Sequence, residues 1–433
     1  MTRYNAGAHL IEADLILDRC NDLAGISSQP DRLERVHLSP EHKQANALVE
    51  TWMREAGLQT WQDAAGNMCG RIEGAMPGLP GLLLGSHIDT VPDAGRYDGM
   101  LGVLLAIQVV SRIRGEIERG ERMPLPFALE VVAFSDEEGT RFGLALTGSR
   151  ALSGTWDPAW WDLTDKDGIT LAEAFVDFGL DPARLPGAFR RRENLVGYLE
   201  THIEQGPYIE DADRRLAVVT SIAGARRYAL TLTGKAGHAG GTPYDRRRDA
   251  LVGASEIVLE VERLSKEHHV IGTVGRLQAF PGGVNVIPGR VDFSLDLRAE
   301  FDNERDACLD ALWVAIDEIC ARRTLTLEKT EIYRADAVLC DPALQEAIGA
   351  GIRATGDADP MAFWSRAGHD GMAVVDVTPV AMLFLRCAGG VSHHPDESVR
   401  RSDVAAALDA FEAAVLAVAA STPGTTATVT PGA

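Results

Sequence analysis

The sequence predicts an α/β protein into which a smaller α+β domain is inserted, and three observations lead to this prediction. A buried strand, an apolar helix and a second buried strand follow one another between residues 81 and 134. Near residue 221 the pattern changes to strands in which polar and apolar residues alternate. After residue 335 a helix-and-strand pattern returns and continues to about residue 420. A chain of 433 residues is long enough for two domains of ordinary size.

The first element of the larger domain is a helix in the stretch SPEHKQANALVETWMREAG. Ser39 is a favourable N-cap, Pro40 fits the first turn, and Gly57 fits the C-terminal end. Apolar residues recur at helical spacing, so one face of the helix is predicted to pack on the core. That face comprises Ala45, Leu48, Trp52 and Met53.

The next elements predict a parallel sheet and the edge at which a ligand binds. GLLLGSH and FALEVVAFSDEEG each begin as a buried strand, and the apolar stretch GMLGVLLAIQVVSRIR between them is typical of a helix. In a parallel α/β sheet, ligands bind beyond the carboxyl ends of the strands. Because His87 and the pair Glu137 and Glu138 follow such ends, we expect them to face a common crevice.

The inserted block has the pattern of an antiparallel sheet with helices. In RYALTLTG the residues Tyr228, Leu230 and Leu232 fall on one face of a strand. A helix is predicted from about Asp249 to Leu264, followed by GTVGRLQAF, the turn PGGVNVIPG and the alternating stretch RVDFSLDLRAE. The predicted domains are therefore residues 1–220 plus 336–420, the inserted residues 221–335, and a disordered tail of small polar residues at 421–433.

Composition argues against several classes of protein. The chain carries 42 basic and 63 acidic residues, and the net charge of −21 opposes binding to nucleic acid and to anionic membranes. The six cysteines are scattered, which is typical of reduced thiols. The N-terminal stretch has acidic residues among its apolar ones and makes a poor signal peptide, and no uncharged apolar run reaches the length of a membrane span. We therefore expect a cytoplasmic protein with no nucleic-acid or membrane partner.

Histidines and acids near the predicted strand ends form the candidate site. Each motif alone is weak, because a lone histidine in a loop is more often a surface residue and adjacent glutamates are usually solvated. In combination they are informative, since acids at buried strand ends need a compensating charge, which a pair of divalent cations supplies. Imidazole and carboxylate ligands suit Zn²⁺, Mn²⁺, Co²⁺ or Ni²⁺ rather than Ca²⁺. The candidates are His87, Asp98, Glu137, Glu138, His202, His393 and His394, with Asp89 placed to orient His87.

Seven stretches of the sequence combine glycines with histidines or acids and follow one another in a fixed order. They are GSHIDTVPDAGRYDG, FSDEEGTRFGLALTGSRALSG, THIEQGPYIE, GHAGGTPYDRRRDA, VNVIPGRVDFSLDLR, AGHDGM and VSHHPDESV. Together they resemble the dinuclear-metal amidohydrolases of the M20 peptidase clan. More narrowly, they resemble its hydantoinase/carbamoylase branch, which holds N-carbamoyl-L-amino acid hydrolases, allantoate amidohydrolases and β-ureidopropionases. The resemblance implies a metallopeptidase-like catalytic domain with a mixed sheet, and it makes the inserted domain a lid and dimerisation domain.

The resemblance also implies which residues hold two divalent metal ions per subunit. His87, Asp98 and His202 hold one ion. Asp98 bridges to the second ion, which is also held by Glu138 and His393. The histidine at position 202 is similar to the carbamoylase branch, whereas the peptidases and acylases of the clan more often place an acid there.

The same resemblance assigns the catalytic and substrate-binding residues. Glu137 is the general base, and His238 stabilises the tetrahedral oxyanion, usually from the partner subunit of a homodimer. Asn285 and Arg298 bind the substrate carboxylate, again from the partner, since a guanidinium grips a carboxylate with two hydrogen bonds. The pocket is completed by Gln205, Arg226 and Gly368, while His369 lies behind the ligands and His394 is not expected to be one of them.

The predicted reaction is hydrolysis of a linear ureido group to carbon dioxide and ammonia, with allantoate or an N-carbamoyl-L-amino acid as substrate. MLFLRCAGGVSHHPDESV resembles bacterial allantoate amidohydrolases somewhat more closely. Ala225 and Arg366 stand where relatives commonly have glutamine and glycine, and both bear on the pocket. Two alternatives stay open. His202 argues against an aminoacylase or dipeptidase, and the presence of Glu137 with all five ligands argues against a non-catalytic protein that kept the fold.

Overall fold

A computed structural model describes residues 6–422, which form two compact units. The first unit contains the chain up to Thr220, Cys340–Phe363, and the chain from His369 onward. The second unit contains Ser221–Leu339 and the short segment Trp364–Gly368. The sequence places that short segment in the larger domain, and its contacts group it with the second unit. Most of the predicted tail, from residue 423 onward, lies outside the described residues.

The larger sheet has nine strands, and its centre is parallel. The spatial order is β1-β2-β4-β3-β5-β16-β6-β14, with β15 paired to β6. Neighbouring strands among β4, β3, β5 and β16 run parallel, whereas β1, β2 and β6 pair antiparallel to their neighbours. The strands are β1 (Gln59–Gln62), β2 (Met68–Ile72), β3 (Gly81–His87), β4 (Ala128–Phe134), β5 (Leu195–Ile203), β6 (Leu216–Ile222), β14 (Val338–Leu339), β15 (Met361–Ser365) and β16 (Val380–Leu385).

Helices cover the parallel strands of the first unit. Every residue of β3 and β4 is buried, as the continuous apolar sequence of a doubly covered parallel strand requires. The chain between these strands forms the predicted apolar helix, which is buried over most of its length. The helices are α1 (Ala6–Ala24), α2 (Pro40–Glu55), α3 (Met100–Glu118), α4 (Thr147–Ser153), α5 (Leu171–Phe178), α6 (Tyr208–Asp211), α9 (Pro342–Ala354), α10 (Gly371–Val374) and α11 (Arg401–Ser421), with short 3₁₀ turns at Pro158–Asp162, Pro182–Ala188, Arg192–Asn194 and Ala388–Gly390.

Helix α2 begins and ends where its sequence indicates. The hydroxyl of Ser39 accepts a hydrogen bond from the backbone N–H of His42 at 3.1 Å, which satisfies one donor of the first turn. Gly57, just beyond the helix, has a φ of +87°, a conformation that favours glycine. On the predicted apolar face, Ala45, Trp52 and Met53 are buried and Leu48 is half-buried.

The second unit is an antiparallel sheet with two long helices on one face. Its five-stranded sheet has the order β10-β12-β7-β13, with β9 also paired to β12. Tyr228, Leu230 and Leu232 are buried together against the helices, which confirms the period-two prediction. The elements are β7 (Gly224–Thr233), β8 (Gly237–His238), α7 (Ala250–Glu267), β9 (Ile271–Thr273), β10 (Leu277–Phe280), β11 (Val286–Ile287), β12 (Arg290–Ala299), α8 (Asp302–Arg323) and β13 (Thr326–Ala335), with a 3₁₀ turn at Tyr244–Arg246.

Two stretches of the second unit differ from the expected pattern. GTVGRLQAF forms two short strands, β9 and β10, that pair with different parts of β12. The expected turn PGGVNVIPG contains the two-residue strand β11, which pairs with β8. None of these three strands is long enough for its alternation to be detected in the sequence.

Helix α11 is, among the described residues, the one helix long and apolar enough to cross a membrane by length and composition. More than half of its most apolar window, 56%, is buried inside the structure. Its buried residues include Val404, Leu408, Phe411 and Val415, which is the burial expected of a core helix. The six cysteines, all in the described part of the chain, are buried and unpaired.

Candidate metal centre

Asp89 connects the ends of the two central strands β3 and β4. Its carboxylate accepts hydrogen bonds from the backbone N–H groups of Glu137 and Glu138, at 2.9 and 3.1 Å. The same carboxylate lies 3.3 Å from Nδ1 of His87, whose ring is also 3.1 Å from the Asp89 carbonyl oxygen. These contacts fix the ring of His87 so that its other nitrogen, Nε2, faces away from Asp89. The role that the sequence suggested for Asp89 is therefore available geometrically.

Asp98 lies between three histidines, and its two oxygens face different ones. Oδ1 lies 3.6 Å from Nε2 of His87 and 2.9 Å from Nε2 of His202. Oδ2 lies 3.1 Å from Nε2 of His393, which in turn is 3.5 Å from an oxygen of Glu138. A carboxylate that directs one oxygen to each of two ligand groups has the arrangement of a bridging ligand between two cations.

Protonation in this cluster follows burial and mutual contact. Burial raises the pKa of Asp98, but its close contacts with His202, His393 and His87 outweigh this effect and hold the pKa well below its ordinary value. For His87, burial lowers the pKa, and the hydrogen bonds to Asp89 and Asp98 reverse the effect and raise it well above its ordinary value. The contact with Asp98 raises the pKa of His393 to about 9. The imidazoles therefore serve as counter-charges to the acids when no cation is bound.

Glu137 and Glu138 both have raised proton affinity. Burial, and next the charge of Glu138, raises the pKa of Glu137 well above its ordinary value. Burial, and next the charge of Asp98, raises the pKa of Glu138 to about 7. Two adjacent carboxyl groups of this kind cannot both hold a full negative charge without a nearby cation. This supports the interpretation that one of them is a ligand and the other an acid–base group.

The donor set fits a pair of divalent cations. The ligand atoms of His87, Asp98 and His202 lie within 4.8 Å of one another, and so do those of Asp98, Glu138 and His393. The buried Nε2 of His202 makes no hydrogen bond of acceptable geometry among the described residues, although Asp98 is near. An unsatisfied imidazole nitrogen between carboxylates is the chemistry that Zn²⁺ or Mn²⁺ ligation satisfies. A third group, His87 with Glu137 and Glu138, also meets the distance criterion.

In the second unit, His238 and Asn285 lie next to each other on the ribbon of β8 and β11. His238 pairs with Val286, and the carbonyl oxygen of Asn285 accepts the N–H of Ala239 at 2.9 Å. Nδ1 of His238 accepts hydrogen bonds from the backbone N–H groups of Gly240 and Gly241, at 3.2 and 3.0 Å. When Nδ1 is an acceptor, the neutral ring carries its proton on Nε2. The exposed His238 side chain therefore presents an N–H donor.

The two arginines predicted to bind substrate have different surroundings. Arg298, on β12, pairs with Asp296 through Nε at 2.9 Å, and its Nη1 donates to the carbonyl oxygen of Arg366 at 3.0 Å. Arg226, on β7, is engaged by acids on every side of its guanidinium: Nε and Nη2 bond Glu331, and Nη1 bonds Asp306. Gly368 lies at the exposed end of the segment Trp364–Gly368.

Comparisons with known proteins give the chain a family. The model of peptidase family M20/M25/M40 matches residues 83–417, most of the chain. The chain belongs to this family. An N-carbamoyl-L-amino acid amidohydrolase of Geobacillus stearothermophilus is 39% identical over 92% of this chain and 96% of its own length. An allantoate deiminase of Arabidopsis thaliana is 37% identical over 91% of this chain and 80% of its own length. The crystal structure of a hydantoinase/carbamoylase family amidase from Burkholderia multivorans superimposes with a TM-score of 0.85 at 32% identity, over 94% of this chain and 98% of the other.

Around the ligands of this M20 protein lie buried acids that the sequence analysis did not single out. Glu397 accepts the N–H groups of Tyr97 and Asp98, at 2.7 and 3.2 Å, and the hydroxyl of Ser392 at 3.0 Å. Glu200, two residues before His202 on β5, accepts the hydroxyl of Ser86 at 2.7 Å. Glu200 carried a signal, because residues two apart on a strand share a face. Glu397 lies within the stretch VSHHPDESV, but its role could not be inferred there, since the backbone groups whose hydrogen bonds it accepts are about 300 positions away.

A buried arginine also supports the loop after β3 in this M20 protein. The guanidinium of Arg35 donates to the carbonyl oxygens of Ile88, Leu23 and Ile26, at 2.8, 2.6 and 3.0 Å. The side chain is fully buried, and burial lowers its pKa to about 10. It therefore joins the end of α1 to the loop that carries Asp89. The role of Arg35 could not be predicted from the sequence, because its partners are backbone oxygens, which every residue carries.

Of the remaining predicted positions of the M20 site, Gln205 and His369 contact the proposed metal ligands, whereas His394 belongs to no ligand group among the described residues. Gln205 lies close: its Nε2 donates to Asp98 Oδ2 at 2.9 Å and is 3.0 Å from Nε2 of His393. His369 is buried, with its ring edge-on to that of His202 at a centroid distance of 4.6 Å. It also belongs to a ligand group with Glu200 and His202. His394 is exposed, belongs to none of the ligand groups found among the described residues, and lies beside Asp396.

Proposed function

We propose that this M20-family protein hydrolyses the linear ureido C–N bond of a small carboxylate, releasing carbon dioxide and ammonia. The observation that carries the proposal is Asp98, whose two oxygens face two ligand groups, with Glu137 beside them. The amidohydrolase and deiminase relatives, similar over nine tenths of the chain, support the choice of a ureido substrate.

The proposed cofactor is a pair of divalent cations, Zn²⁺ or Mn²⁺, with Co²⁺ or Ni²⁺ also compatible with the donor set. His87, Asp98 and His202 would hold one ion, and Asp98, Glu138 and His393 the other. Bound ions supply Lewis-acid polarisation of the ureido carbonyl and acidify water. Asp89 keeps Nε2 of His87 directed towards this site through its contact with Nδ1.

Glu137 carries the proton transfers. Its carboxylate takes a proton from the water whose oxygen forms a bond to the ureido carbon. When the C–N bond breaks, the electron pair stays on the leaving nitrogen, and Glu137 returns the proton to that nitrogen. The carbamate then decomposes to carbon dioxide and ammonia. The raised pKa of Glu137 suits a group that must hold a proton between these two events.

The second unit contributes donors to the proposed reaction. The Nε2–H of His238 stabilises the negative charge that develops on the carbonyl oxygen. Asn285 and Arg298 bind the substrate carboxylate, and we propose that all three act from the partner subunit of a homodimer. Gln205 and the backbone of Gly368 complete the pocket. The resemblance assigns Arg226 to the pocket, but each nitrogen of its guanidinium already bonds Glu331 or Asp306. We therefore propose that its neighbour Arg227 contributes in its place.

Allantoate and N-carbamoyl-L-amino acids are the two proposed substrates. Each carries a ureido group near a carboxylate, so the carboxylate site serves both. The relatives include enzymes named for each compound, at 39% and 37% identity. An aminoacylase acting on N-acyl amino acids is the alternative, and the histidine at position 202 argues against it. A cytoplasmic location is proposed on the composition of the chain.

A substrate panel tests the proposal. The Mn²⁺-loaded protein is assayed for ammonia release from allantoate and N-carbamoyl-L-amino acids, and for cleavage of N-acetyl amino acids. We expect ammonia from at least one ureido compound and none of the acetyl cleavage that an aminoacylase requires. In Glu137→Gln we expect turnover to fall by about 10³-fold or more, because general acid–base catalysis is lost, while calorimetry still detects metal binding. Cleavage of N-acetyl amino acids without ureido turnover would overturn the proposal.

A further inference from the structure

A cavity with strong positive charge lies against the sheet of the second unit. Its volume is about 470 Å³, within the range of small-molecule sites. Three arginines line it: Arg227 from β7, Arg298 from β12, and Arg366 from the segment that joins this unit from later in the chain. Asp296 is the one acid among the described residues that line it. Three positive charges and one negative charge leave the cavity a formal charge of +2.

Asp296 holds two of the arginines side by side, and both of its carboxylate oxygens take part in these contacts. Its Oδ2 lies 2.7 Å from Nε of Arg227, and its Oδ1 lies 2.9 Å from Nε of Arg298. Nη2 of Arg298 also donates to Asp296, at 3.2 Å. The carboxylate of Asp296 thus orients the guanidinium groups of Arg227 and Arg298 and is the single negative charge among the lining residues.

Two of the guanidinium groups are held in place by aromatic contacts. The guanidinium of Arg227 stacks on the ring of Tyr333, with its carbon 4.7 Å from the ring centroid. Within the described part of the chain, neither Nη nitrogen of Arg227 bonds an acceptor. The guanidinium of Arg366 lies over the ring of Trp364, at 4.6 Å. The guanidinium of Arg227 is oriented by Asp296 and Tyr333 and has unused donors, so it is available to bind a carboxylate.

Arg226, the sequence neighbour of Arg227, shows the contrasting arrangement. It points to the other face of the strand, where Glu331 and Asp306 occupy its donors. Its charge is therefore neutralised within the protein. The excess positive charge on the cavity side is a local feature, in a chain whose overall charge is −21.

We propose that this arginine cavity binds a carboxylate on the side chain of the substrate, so that the enzyme prefers N-carbamoyl-L-amino acids with an acidic side chain. The inference rests on the proposed ureido hydrolysis, in which Arg298 binds the first carboxylate. One bound carboxylate still leaves the cavity with excess positive charge. A substrate with a second carboxylate a few bonds away matches the charge of the whole cavity.

A pair of isosteric substrates tests the inference through charge alone. The ratio of kcat/KM for N-carbamoyl-L-glutamate to that for N-carbamoyl-L-glutamine is measured on the Mn²⁺-loaded protein. We expect a ratio of about 10 or more for the wild type, and a fall of about tenfold or more in Arg227→Gln and in Arg366→Gln, since a charged hydrogen bond contributes about 1.5–3 kcal/mol. The loss is expected in KM for the glutamate compound. Arg366→Lys keeps the charge and should keep part of the ratio.

Arg290→Gln is the matched control, because Arg290 lies on β12, pairs with Asp292 and does not line the cavity. Its ratio should equal that of the wild type. A wild-type ratio near one, a ratio that survives in both glutamine variants, or turnover of allantoate alone would overturn the inference and leave ureido hydrolysis standing. No ammonia from either carbamoyl compound or from allantoate contradicts the proposed function, and the inference with it.

Discussion

The ring of His87 is held from two sides, by Asp89 and by Gly99. Asp89 fixes Nδ1, while Gly99 lies against the ring with a φ of +65°. A Cβ at position 99 would lie 2.5 Å from three atoms of the imidazole. His87 and Asp89 were predictable from the sequence, because they stand in one tripeptide at a strand end. The need for glycine at position 99 was not, because it depends on a contact between residues twelve positions apart.

Gly99→Ala is expected to displace His87 and weaken metal binding by about tenfold or more, as loss of a ligand's support typically does. Isothermal titration with Mn²⁺ measures the effect. Gly120→Ala is the control, because Gly120 has a φ of +72° but a Cβ there would meet no atom of the described residues within 4 Å. It also places a side chain at a positive φ, and it should bind metal as the wild type does. Equal affinity in the two variants would contradict this account of Gly99.

At the scale of elements, the loop after β3 and the loop after β16 are tied together by Glu397. Its carboxylate accepts the backbone N–H groups of Tyr97 and Asp98 and a hydroxyl next to His393. Gly95 leaves the necessary room, since a Cβ there would lie 2.3 Å from the Glu397 carboxyl carbon. Strand and helix periodicity predicted which elements exist, and the strand-end rule predicted where the site lies. Neither predicts which loop a buried acid reaches.

Glu397→Ala is expected to lower the affinity for metal by about 10- to 100-fold, because Asp98 and His393 lose their common support. Glu397→Gln should lose less, since its amide oxygen still accepts from the backbone and its amide nitrogen can bond Ser392. Metal titration of both variants shows whether the hydrogen bonds of Glu397, rather than the space that its side chain fills, position the ligands. If the alanine variant binds metal as tightly as the glutamine variant does, Glu397 does not position these ligands.

At the scale of the molecule, buried neutral histidines couple stability to pH. Burial lowers the pKa of His37 to about 4 and of His42 to about 3. In the unfolded chain these groups have pKa values of about 6.5. The unfolded state therefore binds more protons below pH 6.5, so stability present above that pH is lost as the pH falls through 6.5 towards 4.

The contribution of these two histidines to the free energy of unfolding of the metal-free protein should therefore decrease from about pH 6.5 to pH 4. Urea titrations followed by circular dichroism measure it. In His42→Gln, which keeps an acceptor for the N–H of Leu38 but cannot titrate, the slope of this decrease should be smaller. An unchanged slope would show that His42 does not contribute to the pH dependence.

The family and the order of the motifs were predictable from the sequence because short glycine-bearing stretches carry them. The distribution of charge across the second unit was not. Arg226 and Arg227 are adjacent and identical in type, yet one is neutralised by Glu331 and Asp306 and the other lines the cavity. Strand register decides which acid each one meets, and register depends on pairing between residues about a hundred positions apart.

Anomalous diffraction from a crystal grown with Zn²⁺ tests the proposal that Asp98 bridges two cations. Two anomalous peaks are expected in each chain, one among His87, Asp98 and His202 and the other among Asp98, Glu138 and His393. No peak at these side chains, or a single peak that leaves one oxygen of Asp98 without a cation, would contradict it.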